Sequence, residues 1–128
     1  MSRILVVDDD PDFCEAMRLV LTSAGHAVEI ASNGDQALAM ATQAPPDLII
    51  LDIMMQGPLD GLVAAHSLEE NQRLHGIPVI MVSSIADSPL AGLFPTDEYL
   101  PTDAWFSKPV QPGRLLKSVE RLLHTKAA

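Results

Sequence analysis

The chain has 128 residues, of which 48% are hydrophobic and 20% charged, and its formal net charge is −9. This length and composition favour a single globular domain covering residues 1–128. The acidic balance argues against binding to nucleic acid or to an anionic membrane, because both require clustered Lys and Arg.

The cysteine content and the apolar stretches indicate a cellular location. Cys14 is the single cysteine, which excludes an internal disulfide and fits a reducing compartment. No apolar stretch reaches the length of a signal peptide or of a transmembrane helix. We therefore expect a cytoplasmic protein without a membrane segment.

Short apolar runs alternate with helical patterns along the chain. The apolar runs and alternations predict strands over residues 4–7, 28–30, 48–51, 77–82 and 104–107. Helical spacing and end signals predict helices from Asp10-Pro11 to Gly25, over 35–42, over 61–71, and from about Pro112. Residues 86–103 contain Pro89, Pro95 and Pro101, so we expect an irregular or shortened helix there.

This order of elements predicts an α/β fold. Strands that alternate with helices form a parallel sheet with right-handed crossovers, and five strands with helices on both faces account for the pattern. Such doubly wound sheets bind ligands beyond the carboxyl ends of their strands.

Polar residues follow the apolar runs at the ends of four predicted strands. Asp8 and Asp9 end the first strand, Asp52 the third, Ser83 the fourth and Lys108 the fifth. Because these ends share one edge of a parallel sheet, we expect residues far apart in sequence to converge there.

The converging residues suit phosphoryl transfer. Three carboxylates at one edge repel one another unless a divalent cation lies among them, and their oxygens suit Mg²⁺. The carboxylate of Asp52 is a nucleophile towards phosphorus, Lys108 supplies a positive charge, and the Ser83 hydroxyl donates a hydrogen bond.

Each residue also has a simpler interpretation. Asp8, Asp9 and Asp10 could stabilise the following helix through its dipole, which for Asp10 we favour over metal binding. Asp52, Ser83 and Lys108, taken singly, could be ordinary polar residues. We expect surface or half-buried roles rather than metal binding for four histidines, which are His26, His66, His75 and His124.

Five short motifs in the sequence carry a resemblance to a known protein family. They are ILVVDDDPDF at 4–13, DLIILDIMM at 47–55, DG at 60–61, IPVIMVSS at 77–84 and WFSKPV at 105–110. Together they make the sequence resemble the receiver domain of bacterial two-component response regulators over essentially its whole length. The resemblance implies a flavodoxin-like sheet with strand order 2-1-3-4-5.

The resemblance also implies a phosphorylation site. Asp52 would accept a phosphoryl group from a histidine kinase or phosphotransfer protein, and the domain would relay the signal to a downstream protein target as a monomer or weak homodimer. Mg²⁺ would be held by Asp9 and Asp52, with Asp8 assisting and the carbonyl of Met54 completing the site.

Other positions of the family's switch also match. Ser83 would be the switch hydroxyl, Lys108 would contact the phosphoryl group, and Trp105 would stand at the switching aromatic position. Pro109 would follow a cis peptide bond.

Two departures from the family's pattern lie close to this site in sequence. Gln56 stands where the family commonly has proline, and the loop before Asp60-Gly61 is one residue longer.

The side chains of Met54 and Ile85 are both apolar. These residues stand at the positions that flank the path of a water attacking the phosphoryl group. Since neither side chain can orient water, slow self-dephosphorylation is expected.

Two rival functions remain open from the sequence. An aspartyl-phosphate phosphatase would need an acid two residues after the nucleophile, where this chain has Met54. A receiver-like interaction module that works without phosphorylation typically lacks an acid or the lysine, whereas this chain keeps them. Phosphate ester turnover and incorporation at Asp52 would distinguish the three functions.

Overall fold

A computed structural model describes residues 2–52, 70–71, 74, 76–83, 104–107 and 110–127. The strands are β1 (Arg3–Val7), β2 (Ala27–Ala31), β3 (Leu48–Asp52), β4 (Val79–Ser83) and β5 (Ala104–Ser107). The helices are α1 (Pro11–Ser23), α2 (Gly34–Gln43) and α3 (Pro112–Ala127). Across these ranges, every helix is too short or too polar to cross a membrane.

The strands pair in parallel in the order β2-β1-β3-β4-β5. The chain therefore adds β2 on one side of β1 and the later strands on the other side. Strand order reverses between β1 and β3, which is where open α/β sheets bind their ligands. The predicted α/β class and the order implied by the resemblance are confirmed.

The sheet separates two clusters of buried side chains. Along β1, β3 and β4, successive residues alternate between the face covered by α2 and the face covered by α1 and α3. The α2 cluster contains Leu5, Val7, Ala31, Ala37, Ala41, Ile49, Leu51, Leu74, Val79 and Met81. The α1/α3 cluster contains Ile4, Val6, Cys14, Met17, Leu21, Leu48, Ile50, Ile80, Val82, Leu115, Val119 and Leu122. Burial on both faces explains why these strands are continuous apolar runs.

The amino end of β1 is fixed by Arg3. Its backbone N–H donates to a carboxylate oxygen of Asp47 at 2.8 Å. Its guanidinium donates to the carbonyl oxygens of Ala44 at 3.1 Å and Pro45 at 3.2 Å, and it pairs with Glu29 at 2.7 Å. These contacts join β1 to β2 and to the segment that enters β3, at the amino edge of the sheet.

The turn from α1 into β2 buries a histidine. Gly25 has a φ of 96°, a left-handed conformation that glycine adopts without strain. His26 follows it, and its ring Nε2 lies 3.1 Å from Oε1 of Glu120 on α3. The exposed fraction of His26 is 8%, so the expectation of a surface or half-buried role was wrong. Packing of this turn close to α3, which no local sequence signal reveals, accounts for the burial.

The remaining sequence predictions have mixed outcomes. Cys14 is buried, and Leu115, Val119 and Leu122 of α3 face the sheet. His124 is exposed, as expected. β4 begins two residues later than predicted and includes Ser83. The predicted helix over 61–71, except Glu70 and Asn71, and the segment 86–103 lie outside the described residues, as do His66 and His75.

Two leucines of α1 allow a matched test of this core. Leu21 is fully buried in the α1/α3 cluster, whereas Leu19 is 63% exposed. We expect Leu21→Ala to lower the free energy of unfolding by about 2–5 kcal/mol, because it leaves a cavity. Leu19→Ala should change it by no more than about 0.5 kcal/mol. Urea unfolding of both variants checks this, and equal losses would contradict the packing described here.

Candidate functional site

The register between β1 and β3 places two aspartates side by side. Val7 ends β1 and pairs with Leu51, so Asp8, which follows Val7, and Asp52, which ends β3, stand at the same level of the sheet. Both side chains are buried, with exposed fractions of 2% for Asp8 and 4% for Asp52. Two carboxylates thus lie next to each other at the carboxyl edge of the sheet.

Hydrogen bonds to neighbouring parts of the chain hold Asp8 in place. Its N–H donates to the carbonyl of Ala31 at 3.0 Å, which extends the β1–β2 pairing by one residue. Its Oδ1 accepts the N–H of Asp10 at 2.9 Å, and its carbonyl oxygen accepts the thiol of Cys14 at 3.4 Å. These bonds set the orientation of the Asp8 carboxylate before any ligand binds.

Asp9 lies at the bend between β1 and α1. Asp10 caps α1 by accepting the N–H of Asp12 at 3.0 Å, and Pro11 occupies the start of the helix. The sequence interpretation of Asp10 as a helix cap is therefore confirmed. The abrupt turn from strand to helix leaves Asp9 exposed at the same edge.

The three aspartates form one cluster of oxygen ligands. One carboxylate oxygen from each of Asp8, Asp9 and Asp52 lies within 4.8 Å of the other two. At such separations like charges repel strongly, the more so for the two buried groups. Oxygen ligands alone suit a hard cation such as Mg²⁺ or Ca²⁺, so the donor set fits a divalent ion.

The structure describes only some of the other predicted site residues. Ser83 ends β4 and pairs in register with Ser107 at the end of β5, so both backbones reach the carboxyl edge. Trp105 lies within β5, where its backbone is described. Met54, Lys108 and Pro109 lie outside the described residues.

A cleft that the sequence did not reveal adjoins the aspartates. It has a volume of about 370 Å³ and is lined by Asp8, Asp9, Pro11, Cys14, Glu15, Ile30 and Ser32. Ile30 and Ser32 reach it because β2 lies beside β1. Strand order is the only signal that could have predicted their contribution, and no local pattern marks either residue.

Comparisons with known proteins agree with this architecture. Residues 4–120 match the family model of the response regulator receiver domain. The chain is 34% identical to the protein PilH of Pseudomonas aeruginosa, over 96% of this chain and 98% of PilH. It is 38% identical to the DNA-binding dual master transcriptional regulator RpaA of a Synechocystis strain, over 66% of this chain and 35% of RpaA. The chain thus spans about a third of RpaA.

A solved structure shows the same fold. It is the signal receiver domain of a signal transduction histidine kinase from Syntrophus aciditrophicus, with a TM-score of 0.84 and 29% identity. The match covers 98% of this chain and 92% of that one. These similarities agree with the parallel sheet and with the aspartate cluster at its carboxyl edge. The chain belongs to the response regulator receiver domain family.

Proposed function

We propose that residues 1–128 form one receiver domain that accepts a phosphoryl group on Asp52. The observation that carries this proposal is the buried Asp52 carboxylate, grouped with those of Asp8 and Asp9 at the carboxyl edge of the sheet. The donor would be a phosphohistidine of a histidine kinase or phosphotransfer protein. A carboxylate oxygen of Asp52 bonds to phosphorus while the bond from phosphorus to the imidazole nitrogen breaks, and nitrogen keeps the electron pair.

The aspartates would have different tasks in this reaction. Asp9 and Asp52 would bind Mg²⁺ directly or through water, Asp8 would assist, and the Met54 carbonyl would complete the coordination. When bound, Mg²⁺ supplies positive charge against the phosphoryl oxygens. The bonds that orient Asp8 fit a supporting role, because they fix one carboxylate without a rearrangement.

The relay would depend on residues at the ends of β4 and β5. A phosphoryl group adds about two negative charges. It would attract the ammonium of Lys108 and the hydroxyl of Ser83, and so bias β4, β5 and Trp105 between two arrangements. The domain would transmit this change to a protein partner and would turn over no substrate beyond slow self-dephosphorylation.

The metal site can be tested through stability. Mg²⁺ at about 100 times its dissociation constant should raise the free energy of unfolding by about 2.7 kcal/mol, because it binds the folded state. Asp9→Asn and Asp52→Asn should lose most of this gain in urea unfolding with and without Mg²⁺. Asp12→Asn is the control, since Asp12 is an exposed acid of α1 outside the cluster. If Asp12→Asn lost as much of the stabilisation by Mg²⁺ as the other two variants, the stabilisation would come from general screening of acidic charge and not from binding to the cluster.

Phosphorylation can be tested by intact mass. With acetyl phosphate and Mg²⁺, the wild-type chain should gain the mass of one phosphoryl group, and Asp52→Asn should gain none. Asp47→Asn is the matched control, because Asp47 precedes the same strand at the opposite edge of the sheet. Incorporation that persists in Asp52→Asn would place the acceptor elsewhere.

The wild-type chain treated with acetyl phosphate and Mg²⁺ also tests whether phosphorylation changes the ends of β4 and β5. In amide spectra, phosphorylation should shift the signals of Ser83 and Trp105 as well as those next to Asp52. A chain that incorporates phosphate without such shifts would accept a phosphoryl group but would not switch.

The lifetime of the phosphorylated state depends on Met54 in this proposal. An apolar side chain there cannot orient an attacking water, so replacement by a polar residue should speed loss of the phosphoryl group. We expect Met54→Asn to decay roughly tenfold faster, which corresponds to about 1.4 kcal/mol of barrier. Loss of mass after removal of the phosphodonor measures the rate, with Met54→Leu as the apolar control. Equal decay in the two variants would reject this role for Met54.

A further inference from the structure

The turn between α1 and β2 holds the backbone of His26 in a fixed position. The N–H groups of Ala24 and His26 both donate to the carbonyl oxygen of Leu21 at 3.1 Å. The N–H of Gly25 donates to the carbonyl oxygen of Thr22 at 3.0 Å. Three successive residues of the turn are therefore bonded back to the end of α1, and the imidazole of His26 extends from a rigid anchor.

The two ring nitrogens of His26 have different surroundings. Nε2 lies 3.1 Å from Oε1 of Glu120 on α3. Nδ1 is buried and has no hydrogen-bond partner among the described residues. A neutral imidazole has one N–H group and one acceptor nitrogen. The proton therefore belongs on Nε2, where the carboxylate of Glu120 accepts it.

The bond between His26 and Glu120 contributes little to the free energy of unfolding. The side chain of Glu120 is 60% exposed, so water and salt screen its attraction for the imidazole. The buried Nδ1 atom has lost its contact with water without a partner from the described chain, which opposes folding. An apolar side chain of similar size would fill the same space without that penalty. Stability alone therefore does not explain a histidine at this position.

The packing of the described residues leaves the rotation of α3 about its own axis loosely defined. Leu115, Val119 and Leu122 are buried, and Leu116 and Leu123 are partly buried beside them. At about 100° per residue, these five side chains occupy about 120° of the helix circumference. Apolar contacts have no preferred direction, so α3 can roll within this arc with little loss of buried area.

We infer that His26 and Glu120 form a latch that sets the rotation of α3 on the sheet. Glu120 lies at one edge of the apolar arc, about 40° beyond Leu116 at 100° per residue. Side chains reach about 5–6 Å from the helix axis, so a roll of about 40° moves the carboxylate by about 4 Å. A hydrogen bond does not survive such a displacement. The directional bond thus selects one rotation from those that the apolar arc permits.

The latch holds a helix that follows β5 closely. β5 ends at Ser107 and α3 begins at Pro112, so four residues connect the two elements. A helix fixed near its middle gives this short connection one stationary end. His26 precedes β2 at the amino edge of the sheet, opposite the aspartate cluster. The inference therefore does not rest on the proposed function.

Replacement of the histidine distinguishes a latch from an ordinary stabilising contact. His26→Leu removes both the bond to Glu120 and the unpaired Nδ1, so we expect the urea midpoint to equal or exceed that of the wild type. The methyl groups of Val119 and Leu122 report the rotation of α3, since both pack in the core. In methyl relaxation-dispersion spectra they should show microsecond-to-millisecond exchange in His26→Leu and none in the wild type.

His26→Gln tests whether the donor is what matters. A glutamine places an amide N–H close to the position of Nε2 and can donate to the same carboxylate. We expect this variant to suppress the methyl exchange that His26→Leu produces. Lys117→Ala is the control on the same helix, because Lys117 is exposed and lies one turn before Glu120. It should change neither the urea midpoint nor the methyl spectra.

Replacement of the glutamate gives the complementary result. Glu120→Ala leaves Nε2 of the buried imidazole without its acceptor, so it should lower the urea midpoint and also produce methyl exchange. The double variant with His26→Leu and Glu120→Ala should recover the midpoint but keep the exchange. This pattern is expected only when the pair sets the rotation of α3 without adding to stability.

Three results would overturn the inference. A fall in the urea midpoint of His26→Leu as large as that of Glu120→Ala would make the pair an ordinary stabilising contact. Methyl spectra of His26→Leu that match the wild type would show that packing alone sets the rotation of α3. Ring ¹⁵N spectra that place the proton of neutral His26 on Nδ1 would leave Nε2 unable to donate to Glu120.

Discussion

The site depends on the parallel register between β1 and β3. Val7 stands opposite Leu51, so the chain delivers Asp8 and Asp52 to one level at the point where strand order reverses. A shift of one residue would turn one carboxylate to the other face of the sheet. The apolar residues of both strands prevent that shift, because each would leave its cluster. The hydrophobic core thereby determines the positions of charged groups at its edge.

The same edge concentrates unfavourable charge. Asp8 and Asp52 are buried within a cluster of acids. Without a bound ligand, this arrangement does little to stabilise the fold. Local strain or repulsion at a functional site is commonly tolerated because the rest of the fold is stable enough. Here the two apolar clusters and the contacts of Arg3 at the amino edge supply that stability. The domain thus combines a sheet that is buried on both faces with an edge of clustered acids.

The sequence predicted the parts of the molecule whose signals are local. Apolar runs that end in Asp8 and Asp52 marked both the strands and the carboxylates, and Asp10-Pro11 marked the start of α1. The burial of His26 had no such signal, because it depends on the packing of the α1–β2 turn close to α3. The cleft beside Asp8 likewise required the position of β2.

The division of the core by the sheet also affects how the sequence can change. Ile49 and Ile50 are neighbours in the chain, yet they pack in different clusters with different helices. Substitutions in the helices that cover the two faces, such as those at Ala41 of α2 and Val119 of α3, lie in separate clusters, so their effects on the free energy of unfolding should be close to additive. Mutations in the layer of α2 can then accumulate without compensating changes in the layer of α1 and α3. The two layers can diverge at separate rates while the domain keeps its fold.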